Sequence, residues 1–226
     1  MFPLRDENPS LTTPVVTRVL IAINALVFFY ELSLGPRLAE FVASYALVPR
    51  RLELALHGLP PLSAATIPLF SSLFLHSGWI HLIGNMWYLW IFGDNIEDRL
   101  GHLRFALFYL AGGLFAGLIH VLTNSGSSVP TVGASGAIAA VLGAYAAAFP
   151  RARVITLLPL FPIFPVVPIP ALFVLGVWFL MQFASGALTL GANMSGGVAW
   201  WAHIGGFSFG YAVMFVLGLR RARSAA

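Results

Sequence analysis

Val132-Gly-Ala-Ser-Gly-Ala-Ile-Ala-Ala-Val-Leu-Gly-Ala-Tyr145 sets one hydroxyl, Ser135, at the head of an apolar stretch made almost wholly of glycine, alanine and aliphatic residues. Small residues at this density let membrane helices approach closely, which is the common use of Gly, Ala and Ser in lipid. The stretch also fits a nucleophile: Gly133 shapes a turn, Ser135 opens a helix, and its own N–H can hold a developing oxyanion. On these residues alone packing is the commoner reading, and the flanking chain has to decide.

The chain of 226 residues is 59% hydrophobic and 9% charged, with a mean hydropathy of +0.88. An ordinary soluble domain carries about 25% charged residues, so this is a polytopic membrane protein. There is no cysteine, hence no disulfide, thiolate nucleophile or Cys-ligated metal. The formal charge of +4 comes from twelve arginines and no lysine. They sit at the ends of hydrophobic segments, where positive charge sets topology, and no phosphate-tracking patch with interleaved aromatics points to nucleic acid.

Pro150 stops the helix that Ser135 opens, and Arg151 and Arg153 follow. Residues 135–149 reach only about 22 Å as a helix, against a hydrocarbon core of roughly 30 Å. With Arg151 at the interface, Ser135 lies inside the membrane, where non-helical backbone is tolerated only against protein or a wet cavity. Residues 132–134 are therefore expected to border such a cavity.

Outward from this fourth span, the pattern predicts an all-α membrane domain over 15–219 with spans at 15–34, 69–92, 103–122, 171–185 and 198–219. The run 15–34 is longer than a signal-peptide core and lacks a small-x-small cleavage pattern after it, so it is kept as a helix. Residues 1–14 form a short polar N-terminus. The first loop, 35–68, is long, with apolar pieces too short and charged to cross, which suits interfacial helices. Residues 93–101 read as a charged turn, and 123–131 as a loop. The segment 157–170 is a connector broken by five prolines, 187–197 is a Gly- and Ser-rich loop, and 220–226 is a basic tail. Six spans put nine arginines on one side (5, 18, 99, 104, 151, 153, 220, 221, 223) and three on the other (37, 50, 51). The positive-inside rule then makes both termini cytoplasmic and opens Ser135 toward the opposite face.

Ionisable residues within spans are functional candidates because placing them there is costly. His203 lies a few residues into the sixth span, near the same face and depth as Ser135, and a hydroxyl nucleophile needs an adjacent base. The bland alternative is a histidine satisfied in a close helix contact with Gly206. His81 and Asn85 are four apart and share a helix face, either as a structural pair or as oxyanion donors. His76 is off that stripe and is expected to be structural. His57, His102 and His120 have no nameable partner. No His-Glu-x-x-His signature is present, and no acid lies within 69–92, so neither a metal nor another cofactor is expected. No Asp or Glu follows Asp98. A Ser-His-Asp triad is therefore hard to build, and a Ser-His dyad is the economical alternative.

The set His81-x-x-x-Asn85, Gly133-x-Ser135-Gly136 and Ala202-His203-x-x-Gly206, on the second, fourth and sixth of six spans, resembles the rhomboid family of intramembrane serine proteases. The turn containing Glu97-Asp-Arg99 also looks like the family's Glu-x-Arg segment. The resemblance covers about 15–219. It implies a six-helix rhomboid-like bundle of bacterial type with a short central fourth helix, a Ser135 nucleophile and a His203 general base. His81, Asn85 and the Ser135 amide would form the oxyanion site, with Gly133, Gly136, Gly206 and His76 as structural neighbours. Two positions depart from the pattern: the first loop lacks a Trp-Arg pair, and Ala139 stands where many members carry an aromatic that stacks on the histidine.

The expectation is thus an intramembrane serine endopeptidase in a lipid bilayer, plausibly a bacterial inner membrane, cutting transmembrane segments of other proteins. Substrate would enter past the fifth helix beneath a lid at 186–197. The alternatives are a non-catalytic rhomboid-like client-binding protein and a small transporter; the latter would be expected to show an internal repeat, and none is detected.

Overall fold

The computed structural model describes residues 1–59, 61–189 and 198–218. In chain order they form strand β1 (Phe2–Asp6), helix α1 (Val15–Ser33), three short helices α2 (Leu38–Tyr45), α3 (Pro49–Leu56) and α4 (Ser63–Ser71), then α5 (Trp79–Leu100), α6 (His102–Thr123) and α7 (Ser135–Ala148). Strands β2 (Arg153–Leu157) and β3 (Val166–Pro170) follow, and then α8 (Ala171–Thr189) and α9 (Trp200–Val216). The protein is a mostly helical, multi-pass membrane bundle of α1 and α5 to α9. Helices α1, α6 and α8 are long and apolar enough to cross a membrane, and Ser63–Phe74 with Trp79–Leu100 is long and apolar enough only as a pair, bent by 76° at the break between them.

Helix α7 is the short fourth helix of the bundle, at 14 residues, and every residue from Gly136 to Ala148 is buried. Its alanines and glycines leave no bulk between it and α9, its closest neighbour. A Cβ at Gly206 would collide with the Gly136 carbonyl, one at Gly210 with the Ala140 carbonyl, and one at Gly143 with the Phe207 carbonyl. The two backbones therefore touch at three points over about two turns, an approach open only to glycine.

The second span differs from the expected 69–92. The chain folds as α4 and a 3-10 turn over Ser72–Phe74, breaks at residues 75–78, and only then enters α5. His76 therefore lies before the helix and not in it. The expected charged turn at 93–101 is also helical as far as Leu100, and Gly101, at φ 79°, makes the break before α6. The reason is Glu97, which is fully buried. Its carboxylate accepts the backbone N–H groups of Val16 (2.8 Å) and Thr17 (2.7 Å) and the Thr17 hydroxyl (2.7 Å). These amides open α1, so an acid that reads as surface charge caps a neighbouring helix from inside the bundle.

The segments 1–14 and 157–170, expected to be a polar tail and a connector, instead contribute to a three-stranded antiparallel sheet in the order β1-β2-β3. Phe2 pairs with Leu157 and Asp6 with Val154, while Arg153 pairs with Pro170 and Leu157 with Val166. Pro168 and Pro170 are tolerated because β3 is an edge strand. The sheet holds the N-terminal segment at the C-terminal end of α7, where the Tyr145 hydroxyl donates to the Asp6 carboxylate.

The first loop folds as α2 and α3 ahead of α4, and it rests on the loop that leads to Ser135. Leu47 and Thr131 exchange backbone hydrogen bonds of 3.0 and 2.8 Å, and the Arg50 N–H donates to the Ser127 carbonyl at 2.9 Å. Helix α8 runs on past the expected end at 185 to Thr189. Within the expected lid, 190–197 lie outside the described residues, as do residues 219–226, which include the basic tail.

Candidate active site

Gly133 has φ 128°, a conformation that glycine alone adopts readily. Its N–H donates to the Ser72 carbonyl at 2.8 Å, fixing the turn against the 3-10 segment. Two residues later α7 begins with Ser135, and its first closed turn is marked by the Ile138 N–H donating to the Ala134 carbonyl at 2.9 Å. The N–H groups at the start of such a helix have no partner within it.

The close α7–α9 contact brings His203 to this point. Its Nε2 stands 2.8 Å from the Ser135 Oγ. A hydroxyl facing a neutral ring nitrogen donates to it, so Nε2 is the acceptor and Nδ1 carries the ring proton. That proton has a partner: the Oε1 of Gln182, on α8, accepts from Nδ1 at 2.7 Å. Both His203 and Gln182 are buried.

The expected aromatic one turn after Ser135 is replaced by Ala139, which is fully buried. The ring beside His203 comes from elsewhere. Trp178 of α8 lies 5.8 Å from it, centroid to centroid, with the planes 33° apart, and Trp200 meets it edge-on at 6.5 Å.

His81 and Asn85 lie on one face of α5, turned toward the Gly133 turn. A Cβ on Gly133 would be 2.7 Å from His81 Nε2 and 3.7 Å from Asn85 Nδ2. The Ser77 N–H donates to His81 Nδ1 at 3.4 Å. That leaves the Nε2 proton pointing to the serine turn. Asn85 Nδ2 is buried and has no hydrogen-bond partner. An open cavity of about 1850 Å³ is lined by His81, Asn85, Val132, Ser135 and His203. No Asp or Glu among the described residues lines it.

The remaining candidates hold the frame. The His76 ring meets the His81 ring at 5.1 Å, and the His76 backbone N–H donates to the carboxylate of the buried Glu31 of α1 at 3.1 Å. A Cβ on Gly136 would meet Ala116 Cβ at 2.7 Å. Two histidines without an expected partner have one: His120 with Thr131 at 2.8 Å and His102 with Glu97 at 2.6 Å. Gln182 and Trp178 are not among the residues that the sequence singles out, because neither side chain is ionisable. A lone amide one turn after a tryptophan in an apolar helix was the available signal.

The model of the Rhomboid domain matches residues 64–220. The zebrafish (Danio rerio) presenilin-associated rhomboid-like protein A, mitochondrial, is 32% identical over 143 residues, 61% of this chain and 37% of its own length. RHOMBOID-like protein 5 of Arabidopsis thaliana is 32% identical over 152 residues, 67% of this chain and 44% of its own. The human presenilin-associated rhomboid-like protein, mitochondrial, is 35% identical over 95 residues, 41% of this chain and 25% of its own. The chain thus spans less than half the length of these curated relatives. They are animal and plant proteins, two of them named mitochondrial, so the expected bacterial type and bacterial inner membrane are not borne out. The domain match takes in five of the six bundle helices and each of the four polar groups gathered at the cavity, and the chain belongs to the rhomboid family.

Proposed function

We propose that the chain is an intramembrane serine endopeptidase that cuts membrane-spanning segments of other proteins with a Ser135–His203 dyad. The observation that carries this reading is the 2.8 Å contact between Ser135 Oγ and His203 Nε2 in the lining of the cavity.

As Oγ attacks the scissile carbonyl, His203 Nε2 takes its proton, and the carbonyl π pair moves onto oxygen. The Nε2–H of His81, the Nδ2 of Asn85 and the Ser135 N–H are the donors for that oxyanion; the unpartnered state of Asn85 Nδ2 suits a site completed only by the reacting oxygen. Collapse breaks the C–N bond, and the leaving amine takes the proton from Nε2. Water from the cavity, deprotonated by the same nitrogen, then attacks the acyl carbon, the ester C–O bond breaks, and Ser135 Oγ takes the proton back from Nε2. A helix hides its carbonyls, so substrates unwind locally, which favours small or helix-breaking residues near the cut. Entry is past α8.

The test is labelling of the detergent-purified chain by a fluorophosphonate, followed by cleavage of a reconstituted transmembrane substrate. Labelling and cleavage are expected in the native chain and absent from Ser135→Ala and His203→Ala. Equal labelling of native and Ser135→Ala protein sinks the proposal and leaves the client-binding and transporter readings.

A further inference from the structure

We infer that Gln182 is the positioning residue of the general base, and that α8 therefore carries the support of the dyad as well as flanking its cavity. The inference rests on the proposed hydrolytic function.

For His203 to accept the Ser135 proton at Nε2, its other nitrogen must hold a proton, and a buried N–H without a partner is costly. Gln182 Oε1 is the group in reach, at 2.7 Å. Gln182 is 7% and His203 8% exposed, so water is not a free substitute. No carboxylate lines the cavity among the described residues. The amide thus does half of what an acid does beside a catalytic histidine. It fixes tautomer and ring direction but supplies no charge to the imidazolium.

Trp178 and Gln182 are four apart on α8 and so share a face. With Ala139 offering α7 no ring, the stacking partner and the hydrogen-bond partner of His203 both ride on α8. That helix packs far more lightly on α7 and α9 than those two pack on each other. A Cβ at its Gly176 would meet nothing within 4 Å. The base is therefore in register only while α8 lies against α9.

The experiment measures the rate constant of fluorophosphonate labelling for the full chain, Gln182→Leu and Gln182→Glu from pH 5 to 9, with thermal midpoints alongside. Gln182→Leu is expected to label about 10- to 100-fold more slowly, the loss that accompanies an unpaired buried donor. Gln182→Glu keeps an acceptor, so its rate recovers, and its acid limb moves up by roughly one pH unit because a carboxylate favours the protonated ring. Should Gln182→Leu fail to fold, the moved limb of Gln182→Glu alone decides. Native-rate labelling by Gln182→Leu, or a Gln182→Glu profile that does not move, overturns the inference. Failure of the native chain to label through Ser135 overturns the hydrolase reading beneath it.

Discussion

A Cβ on Gly133 would stand 2.7 Å from both Cε1 and Nε2 of His81, so the imidazole presents that edge to the turn that delivers Ser135. The turn and the proposed oxyanion donor are thus set by one contact. Gly133→Ala must both adopt φ 128° and push the ring aside. We expect a stability loss of about 1–3 kcal/mol from strain, and fluorophosphonate labelling slower by roughly 100-fold, the scale of losing one oxyanion donor. A stability loss with a native labelling rate would show that His81 does not serve the reaction.

Gly206→Ala drives a methyl into the Gly136 carbonyl, next to the nucleophile. Overpacking of this kind costs about 1–3 kcal/mol. The thermal midpoint should fall, and labelling measured well below that midpoint should fall as well, because the α7–α9 spacing sets the reach of His203. A reduced midpoint with undiminished labelling would mean that the spacing is not critical.

Glu97→Gln replaces an acceptor-only carboxylate that faces four donors, the His102 ring among them, with an amide carrying its own N–H groups. Since the site is fully buried, a loss of about 1–3 kcal/mol is expected. Labelling per folded molecule should not change, because Glu97 serves the α1–α5 junction and not the cavity. Chemical denaturation in mixed micelles and active-site titration separate the two.

Burial pushes the Asp6 carboxyl up from its ordinary 3.8 to about 6, against the opposing hydrogen bond from Tyr145. A carboxyl raised in the folded state favours the protonated form. Its stabilising contribution is therefore fully present below pH 3.8 and is lost as the pH rises through about 6. Hydrogen exchange of the β1 amides should quicken across that window in the native chain. In Asp6→Asn, which keeps an acceptor for Tyr145 and cannot ionise, the step should vanish and protection at pH 7 should rise. A native pH step in Asp6→Asn would assign it to another group.

The grouping of residues at the candidate site was legible because membrane insertion makes polar residues conspicuous. A serine at the head of a helix too short to span, a histidine at matching depth and a His/Asn pair at helical spacing needed no tertiary knowledge. What escaped depends on contacts distant in sequence. Glu97 reads as part of a charged turn until the N-terminus of α1 is brought over it. Leu157 to Pro170 reads as a Pro-broken linker until β1 supplies the other side of β2. Gln182 is neutral, so a search for charge passes it by, although it holds His203 at 2.7 Å. Ala139 reads as a missing support because the replacement arrives from a different helix.

The strand pairing has a consequence for biosynthesis. In a chain made from its N-terminus, Phe2–Asp6 has no mate until residues 153–157 have left the ribosome, by which time α1, α5, α6 and α7 have all been made. Loop closure over such a separation comes late, after local contacts have formed. The small sheet is then a clasp that shuts after the nucleophile's helix is in place, and its closure marks the completion of the first four helices of the bundle.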